Sequence, residues 1–254
     1  MLWNTGENKM IDGLVLAIQF LTRIPINKRI NFNEKNIKRS LLFFAPIGLL
    51  IGLLSAIPFI FLYKYSVQVG AAITLFLMVI LTGGLHLDGL SDTCDGFFSG
   101  RENSRIEEIM KDSRIGAFGV IAIVLVLLLK FAILTSLSQG MWIAIPLSLA
   151  NARLVTSYLI SEKKTNKNSS LGKMFNNSNP KNYIVVAIPL YMMLVIGINL
   201  LFVIPLIACF ILGEAITRLT YKKIGGFSGD VYGATIEISE LLSLLLCWGV
   251  MIWN

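Results

Sequence analysis

Asp88, Asp92 and Asp95 stand four and three residues apart in the segment Thr82-Gly83-Gly84-Leu85-His86-Leu87-Asp88-Gly89-Leu90-Ser91-Asp92-Thr93-Cys94-Asp95-Gly96. If that segment is helical, the three carboxylates share one face. Like charges so close repel, and a divalent cation is the simplest remedy. Mg2+ suits the set, because it favours carboxylate oxygens and keeps water or phosphate oxygens as its remaining ligands. Gly83, Gly84, Gly89 and Gly96 would let a phosphate or a neighbouring helix come close. The plain alternative is a solvated acidic helix end. A calcium EF-hand is disfavoured, since its loop needs a different spacing and a closing Glu.

A second polar cluster runs from Gly225 to Glu240, where Asp230 and Glu237 are seven residues apart and Glu240 lies one turn deeper. A third is Lys111-Asp112-Ser113-Arg114-Ile115-Gly116-Ala117-Phe118-Gly119. There Lys111 and Arg114 could hold phosphate oxygens, and Asp112 could add a metal ligand or orient a base. Each could equally be an interfacial anchor. Lys130 and Arg153 lie within apolar stretches, where a charge is costly and marks either function or a partner. They could attract an anionic substrate or neutralise Glu214, Glu237 or Glu240. His86 is the only histidine, and helix phase turns it away from the aspartate face, which favours a hydrogen-bonded structural role. No GxSxG sequence, Walker-type loop or HExxH pair is present.

The elements that must position these groups are set by an unusual composition. Of 254 residues, 55% are hydrophobic and 15% charged, against roughly 25% charged in an average soluble domain. A soluble chain of this size must still cover its surface with polar groups, so these apolar residues face something other than water. A bilayer core asks for roughly 20 mostly apolar helical residues per crossing. Residues 41–63, 67–87, 117–137, 141–160 and 236–253 meet that test, and 183–216 is long enough for two short spans turning near Gly197–Asn199. The expected fold is therefore all-α: residues 1–254 as one integral membrane domain with about seven transmembrane helices. Residues 11–25 are apolar but short, suiting a re-entrant or interfacial helix, and lack the basic start and Ala-x-Ala-like end of a secretory signal peptide.

Charge supports that order of spans. Residues 26–40, 88–116, 161–182 and 217–233 hold five, four, five and three Lys or Arg, whereas the opposite loops hold only Lys64. The positive-inside rule then places the four basic loops in the cytoplasm. The formal net charge of +7 is explained by topology and contact with anionic membrane lipid. Lys163, Lys164, Lys167 and Lys173 have no interleaved aromatics, so nucleic acid is not an expected partner. Cys94, Cys209 and Cys247 show no CxxC spacing and imply no disulfide framework.

At these motifs the chain resembles the cobalamin synthase, or adenosylcobinamide-GDP ribazoletransferase, family of integral membrane enzymes. The likeness is carried by Gly83–Gly96, by Asp112–Gly119, by Gly225–Asp230 with Gly233, Ala234 and Glu237, and by Phe20-Leu21-Thr22-Arg23-Ile24-Pro25. Ser91 replaces a commoner Ala, and Gly172-Lys173-Met174-Phe175 matches loosely. The resemblance implies that α-ribazole, or its 5′-phosphate, attacks the cobinamide-linked phosphorus of adenosylcobinamide-GDP and that GMP leaves. It also implies Asp88, Asp92 and Asp95 as Mg2+ ligands or base, with Asp230 completing the catalytic centre. Lys111, Arg114, Arg153 and Glu237 are the expected substrate-binding residues. A homo-oligomer is left open. The alternative from another class is a secondary transporter of a charged organic solute, which would use Lys130, Arg153 and Glu240.

Overall fold

The computed structural model describes residues 9–31, 33–166 and 181–253, and within them the chain is helical throughout apart from turns and one isolated bridge, Thr165 to Phe227. Residues 167–180, which include Lys167 and the Gly172–Phe175 motif, lie outside the described residues.

Backbone that enters hydrocarbon must satisfy its own hydrogen bonds, and a helix does so within one segment. All seven apolar stretches are helices: α3 (Phe44–Leu62), α4 (Val67–Thr82), α7 (Ala117–Ser136), α8 (Ala144–Glu162), α9 (Lys181–Ile198), α10 (Val203–Ile224) and α11 (Gly229–Ile252). Phe61, Phe76, Leu128, Met193 and Ile211 are each more than half exposed on their outer sides. In water such a surface invites association, whereas lipid tails match it. By length and apolar content α3, α7, α8, α10 and α11 can each cross a bilayer, and α4 reaches the requirement only together with the helix that follows it. The apolar part of α9, Tyr183–Ile198, is shorter. Between α9 and α10 the chain turns at the expected place, where the Asn199 side chain accepts from the Leu201 amide at 2.9 Å.

One boundary differs from the sequence expectation. The second span stops at Thr82 and not at Leu87, because Gly83 and Gly84 both take left-handed backbone, φ 66° and 69°. That conformation is cheap for glycine and ends a helix. The Gly83 amide closes on Ile80 and the Gly84 amide on Val79. The chain bends by 86° into α5 (Leu85–Phe98). This steeply inclined helix carries all three aspartates.

The N-terminal apolar segment forms α1 (Lys9–Leu21), which buries Leu16, Ala17 and Leu21 in one core with Ile37 and Leu41 of α2 (Glu34–Leu42). It is too short to cross on its own. At the centre stands α8, almost wholly buried although it carries Ser148, Asn151, Arg153, Thr156 and Ser157. Hydroxyls there are satisfied locally: Ser148 donates to Ile145 at 2.8 Å, Thr156 to Ala152 at 2.9 Å and Ser157 to Leu154 at 2.7 Å. The longer polar side chains of α8 find partners on other helices.

Candidate active site

The site begins where α5 touches the start of α11. A side chain on Gly89 would press against the Asp230 backbone at 2.7 Å, so only glycine allows the approach that sets Asp88 beside Asp230. The start of α11 is itself anchored. Ser228 caps it by accepting from the Val231 amide at 3.3 Å, and buried Phe227 stacks on Tyr232 at 4.8 Å. Phe227 is tied to the chain after α8 through its amide to Lys164 and its carbonyl to the Asn166 amide.

Asp88, Asp92 and Asp230 line an open cleft of about 670 Å3 together with Lys111, Asp112 and Arg114 from the loop after α6 (Asn103–Met110). The sequence-predicted residues Asp88, Asp92, Asp230, Lys111 and Arg114 are thus brought together. Burial, then the charges of Asp88, Asp230 and Asp95, push the Asp92 carboxyl up to about 6. Such a gathering of anions favours a cation or a proton. Arg114 holds Asp112 through both carboxylate oxygens, at 3.0 and 2.7 Å, and keeps that carboxyl down at about 2.

Asp95 does something the sequence reading missed. Its two oxygens accept the amides of Gly116 at 2.7 Å and Gly119 at 2.9 Å, the unsatisfied donors at the start of α7. Gly116 is the cap residue of α7 and has no side chain to offer, so a carboxylate from α5 supplies the cap and meets the positive helix end. A side chain at Gly119 would overlap Ser91 Oγ and Asp95 Oδ2. The available signal was the pair of glycines in Gly116-Ala117-Phe118-Gly119. Among the described residues no three His, Cys, Asp or Glu side chains converge as a ready-made metal centre. The same-face argument for three carboxylates overlooked that helix faces have neighbours.

Arg153 and Glu237, expected at the substrate, lie on neither the cleft nor the cavity beside it. They belong to a buried cluster joining α7, α8 and α11. Lys130 donates to Glu237 and Glu240, each at 2.6 Å, and Arg153 pairs with Glu240. Two cations and two anions balance, as the low dielectric requires. Further along the same face of α11, Ser243 accepts from Asn151 at 2.9 Å, and Asn151 accepts from Tyr191 at 2.8 Å. Glu214 is held instead by Lys163 at 2.8 Å. The charges that suggested solute transport are therefore engaged with one another.

Behind the cleft is a smaller cavity of about 230 Å3 whose wall includes Phe20, Phe44, His86, Asp88, Asp230 and Tyr232. Helix phase turns His86 away from the aspartate face and favours a hydrogen-bonded role. It is buried, but Nδ1 meets no partner among the described residues, and the residue shares this wall with Asp88. The cavity arises where five helices meet, a juxtaposition that no local motif announces.

Residues 13–248 match the family model described as cobalamin-5-phosphate synthase. Curated relatives named adenosylcobinamide-GDP ribazoletransferase include one from Treponema denticola, 37% identical over 92% of this chain and 96% of its own length. One from Clostridium botulinum (strain Langeland) is 37% identical over 93% and 97%, and one from Clostridium acetobutylicum is 32% identical over 94% and 96%. No solved structure matches.

Proposed function

The chain belongs to the cobalamin-5-phosphate synthase family, and from that premise we propose that it is an adenosylcobinamide-GDP ribazoletransferase whose reaction takes place in the cleft between α5, the start of α11 and the Lys111–Arg114 loop. The observation that carries this reading is the gathering of Asp88, Asp92 and Asp230 with Lys111 and Arg114 around one open space. A diphosphate needs cationic groups on its oxygens, and a hydroxyl nucleophile needs a carboxylate beside it.

In the reaction the hydroxyl of α-ribazole, or of its 5′-phosphate, forms a bond to the cobinamide-linked phosphorus. The bridge to the second phosphorus breaks, its electron pair departs on GMP, and the hydroxyl proton passes to a carboxylate. Lys111 and Arg114 hold phosphate oxygens, and Asp112 fixes the Arg114 fork in the orientation it needs for that contact. Asp95 holds the first turn of α7 and so the backbone next to the loop. Lys130, Arg153, Glu237 and Glu240 fix α11 against α7 and α8, which locates Asp230.

The donor set fits Mg2+ in one respect: the cleft offers carboxylates of α5 and Asp230 with too few neighbours to enclose an ion. An ion that retains waters and completes its shell with substrate phosphate suits such an open set. When bound at Asp88 and Asp92 it would offset charge on the diphosphate. The excess of Lys and Arg in residues 26–40, 88–116, 161–182 and 217–233 supports a cytoplasmic position for the cleft. A cysteine introduced at exposed Ser113 should react with an impermeant thiol reagent only from that side of oriented vesicles.

The test is the reaction itself. Purified protein in lipid, supplied with adenosylcobinamide-GDP, α-ribazole and Mg2+, should release one GMP per cobalamin formed, with the product confirmed by mass. Folded protein that releases no GMP with either acceptor form would remove this reading.

A further inference from the structure

The cleft and the smaller cavity have opposite characters and share two residues, Asp88 and Asp230. On the cleft side the remaining wall mixes Asp92, Lys111, Asp112 and Arg114 with apolar residues such as Leu87 and Ile123. On the cavity side it is mainly apolar, with Phe20 from α1, Phe44 from α3, Ile160 from α8 and Ile236 from α11. Two polar atoms interrupt this lining's satisfaction: His86 Nδ1 and Tyr232 Oη are buried and find no hydrogen-bond partner among the described residues. Leaving a buried polar atom unpaired is costly, and cavities of this kind, apolar with a few polar groups, are characteristic of ligand sites.

A two-substrate transfer needs two compartments that meet at the reacting atoms. Resting on the transferase reading above, we propose that the cavity of Phe20, Phe44, His86, Tyr232 and Ile236 is the acceptor subsite and takes the flat benzimidazole base of the ribazole. The charged cleft then receives the diphosphate of the donor, and the acceptor hydroxyl arrives at the shared wall of Asp88 and Asp230. A space of about 230 Å3 admits a bicyclic base, whereas the corrinoid must remain outside it. His86 and Tyr232 stand on this wall and each carries a buried polar atom without a partner among the described residues, a hydrogen-bonding capacity that a purely hydrocarbon occupant such as an acyl chain would leave unused.

Gly229 offers a direct probe, because it is on this wall and a side chain built on it meets nothing within 4 Å. Gly229→Leu starts from a Cβ position free of neighbours and adds apolar bulk at this wall. Its KM for α-ribazole should rise about tenfold or more, with KM for adenosylcobinamide-GDP unchanged; blocking a snug apolar pocket has effects of that order. A riboside of imidazole, with the smaller base, should lose far less. Equal changes in both KM values, or none in either, would overturn the subsite. A second measurement needs no variant: an α-ribazole analogue carrying a photoreactive diazirine on its base should label Phe20, Phe44 or Ile160 in the wild-type protein, and α-ribazole should compete. Labelling confined to Lys111–Ile115, or no competed labelling, also overturns it. Competed labelling of the cavity without GMP release would keep the subsite and remove the transferase reading. GMP release with labelling elsewhere would do the reverse.

Discussion

Two groups of charges in this protein lie about 15 Å apart along α11, from Asp230 to Glu240 at 1.5 Å per residue, and they are built on opposite rules. The inner group is balanced in charge: Lys130 and Arg153 answer Glu237 and Glu240, and all four are buried. In the outer group Asp88, Asp92 and Asp230 line an open cleft with Lys111 and Arg114, and no ion pair joins these acids to those cations among the described residues. Hydrocarbon tolerates charge only in balanced sets, so balance is what a structural role looks like at that depth. Imbalance can persist where water reaches, and there it leaves room for a ligand of the missing sign. The costliest residues in the sequence are therefore the scaffold, and the less costly ones at the rim are the candidates for chemistry.

The contrast is tested most severely at Asp92. Asp92→Asn should lower kcat by about 10²–10⁴, the range for losing a general base or its equivalent, while the unfolding temperature in lipid holds or rises slightly. The sign follows from the raised carboxyl. A group whose pKa is higher in the folded state weakens that state as pH rises through the interval from its ordinary value to about 6, and Asn removes the repulsion. Full turnover by the variant, or a marked loss of stability, would place Asp92 with the scaffold.

Glu240→Gln should behave in the opposite way. It strips Arg153 of its acid partner, and breaking a buried pair typically costs about 3–5 kcal/mol. Thermal unfolding should show that loss, with any folded fraction retaining most of its kcat. Replacing both partners, Arg153→Met with Glu240→Leu, leaves Lys130 paired with Glu237 and should recover much of the stability. A double variant no better than the single one would mean that the cluster is not a balanced set.

The sequence told much of this and missed the rest for identifiable reasons. Apolar runs long enough to span lipid report themselves through composition, so the helices were readable, and so was the turn at Asn199. The 86° bend was harder, because Gly83-Gly84 can signal either close approach or a turn, and only the backbone angles decide. At the site, Asp88, Asp92, Asp230, Lys111 and Arg114 were found from residue type and spacing. Asp95 joins them through helix phase and the family resemblance, neither of which registers that the amides of α7 lie against it. Arg153 and Glu237 were recognised as unusual from their depth. Whether such a residue serves a substrate or a partner depends on which helix packs opposite, and periodicity along one helix does not contain that information.

Asp95 makes the next prediction, of intermediate size. Asp95→Asn keeps shape but loses charge at the start of α7, and lost caps cost about 0.5–2 kcal/mol. Unfolding should shift by that amount, with kcat falling far less than in Asp92→Asn. A loss of activity equal to that of Asp92→Asn, with stability unchanged, would return Asp95 to the metal-binding set. Gly119→Ala should be worse for folding than Asp95→Asn, because its methyl group collides with both Ser91 and Asp95.

The smallest effect concerns which carboxylate sets the acid limit of activity. Asp112 is held down at about 2 by Arg114, so the contribution of that pair is present above the ordinary carboxylate range and is lost only as pH falls through about 2. Asp92 is raised to about 6 and takes up a proton within the usual assay range. At low Mg2+, kcat/KM should fall about tenfold per pH unit below pH 6, the slope for one required deprotonated group. Because metal and proton compete for the same oxygens, higher Mg2+ should move this limb toward lower pH. Asp112→Asn should cost only a few-fold in activity, through a less well-held Arg114, and should leave the limb where it is. Displacement of the limb by Asp112→Asn, with no response to Mg2+, would assign the titration to the Lys111–Arg114 loop and not to the aspartates of α5 and α11.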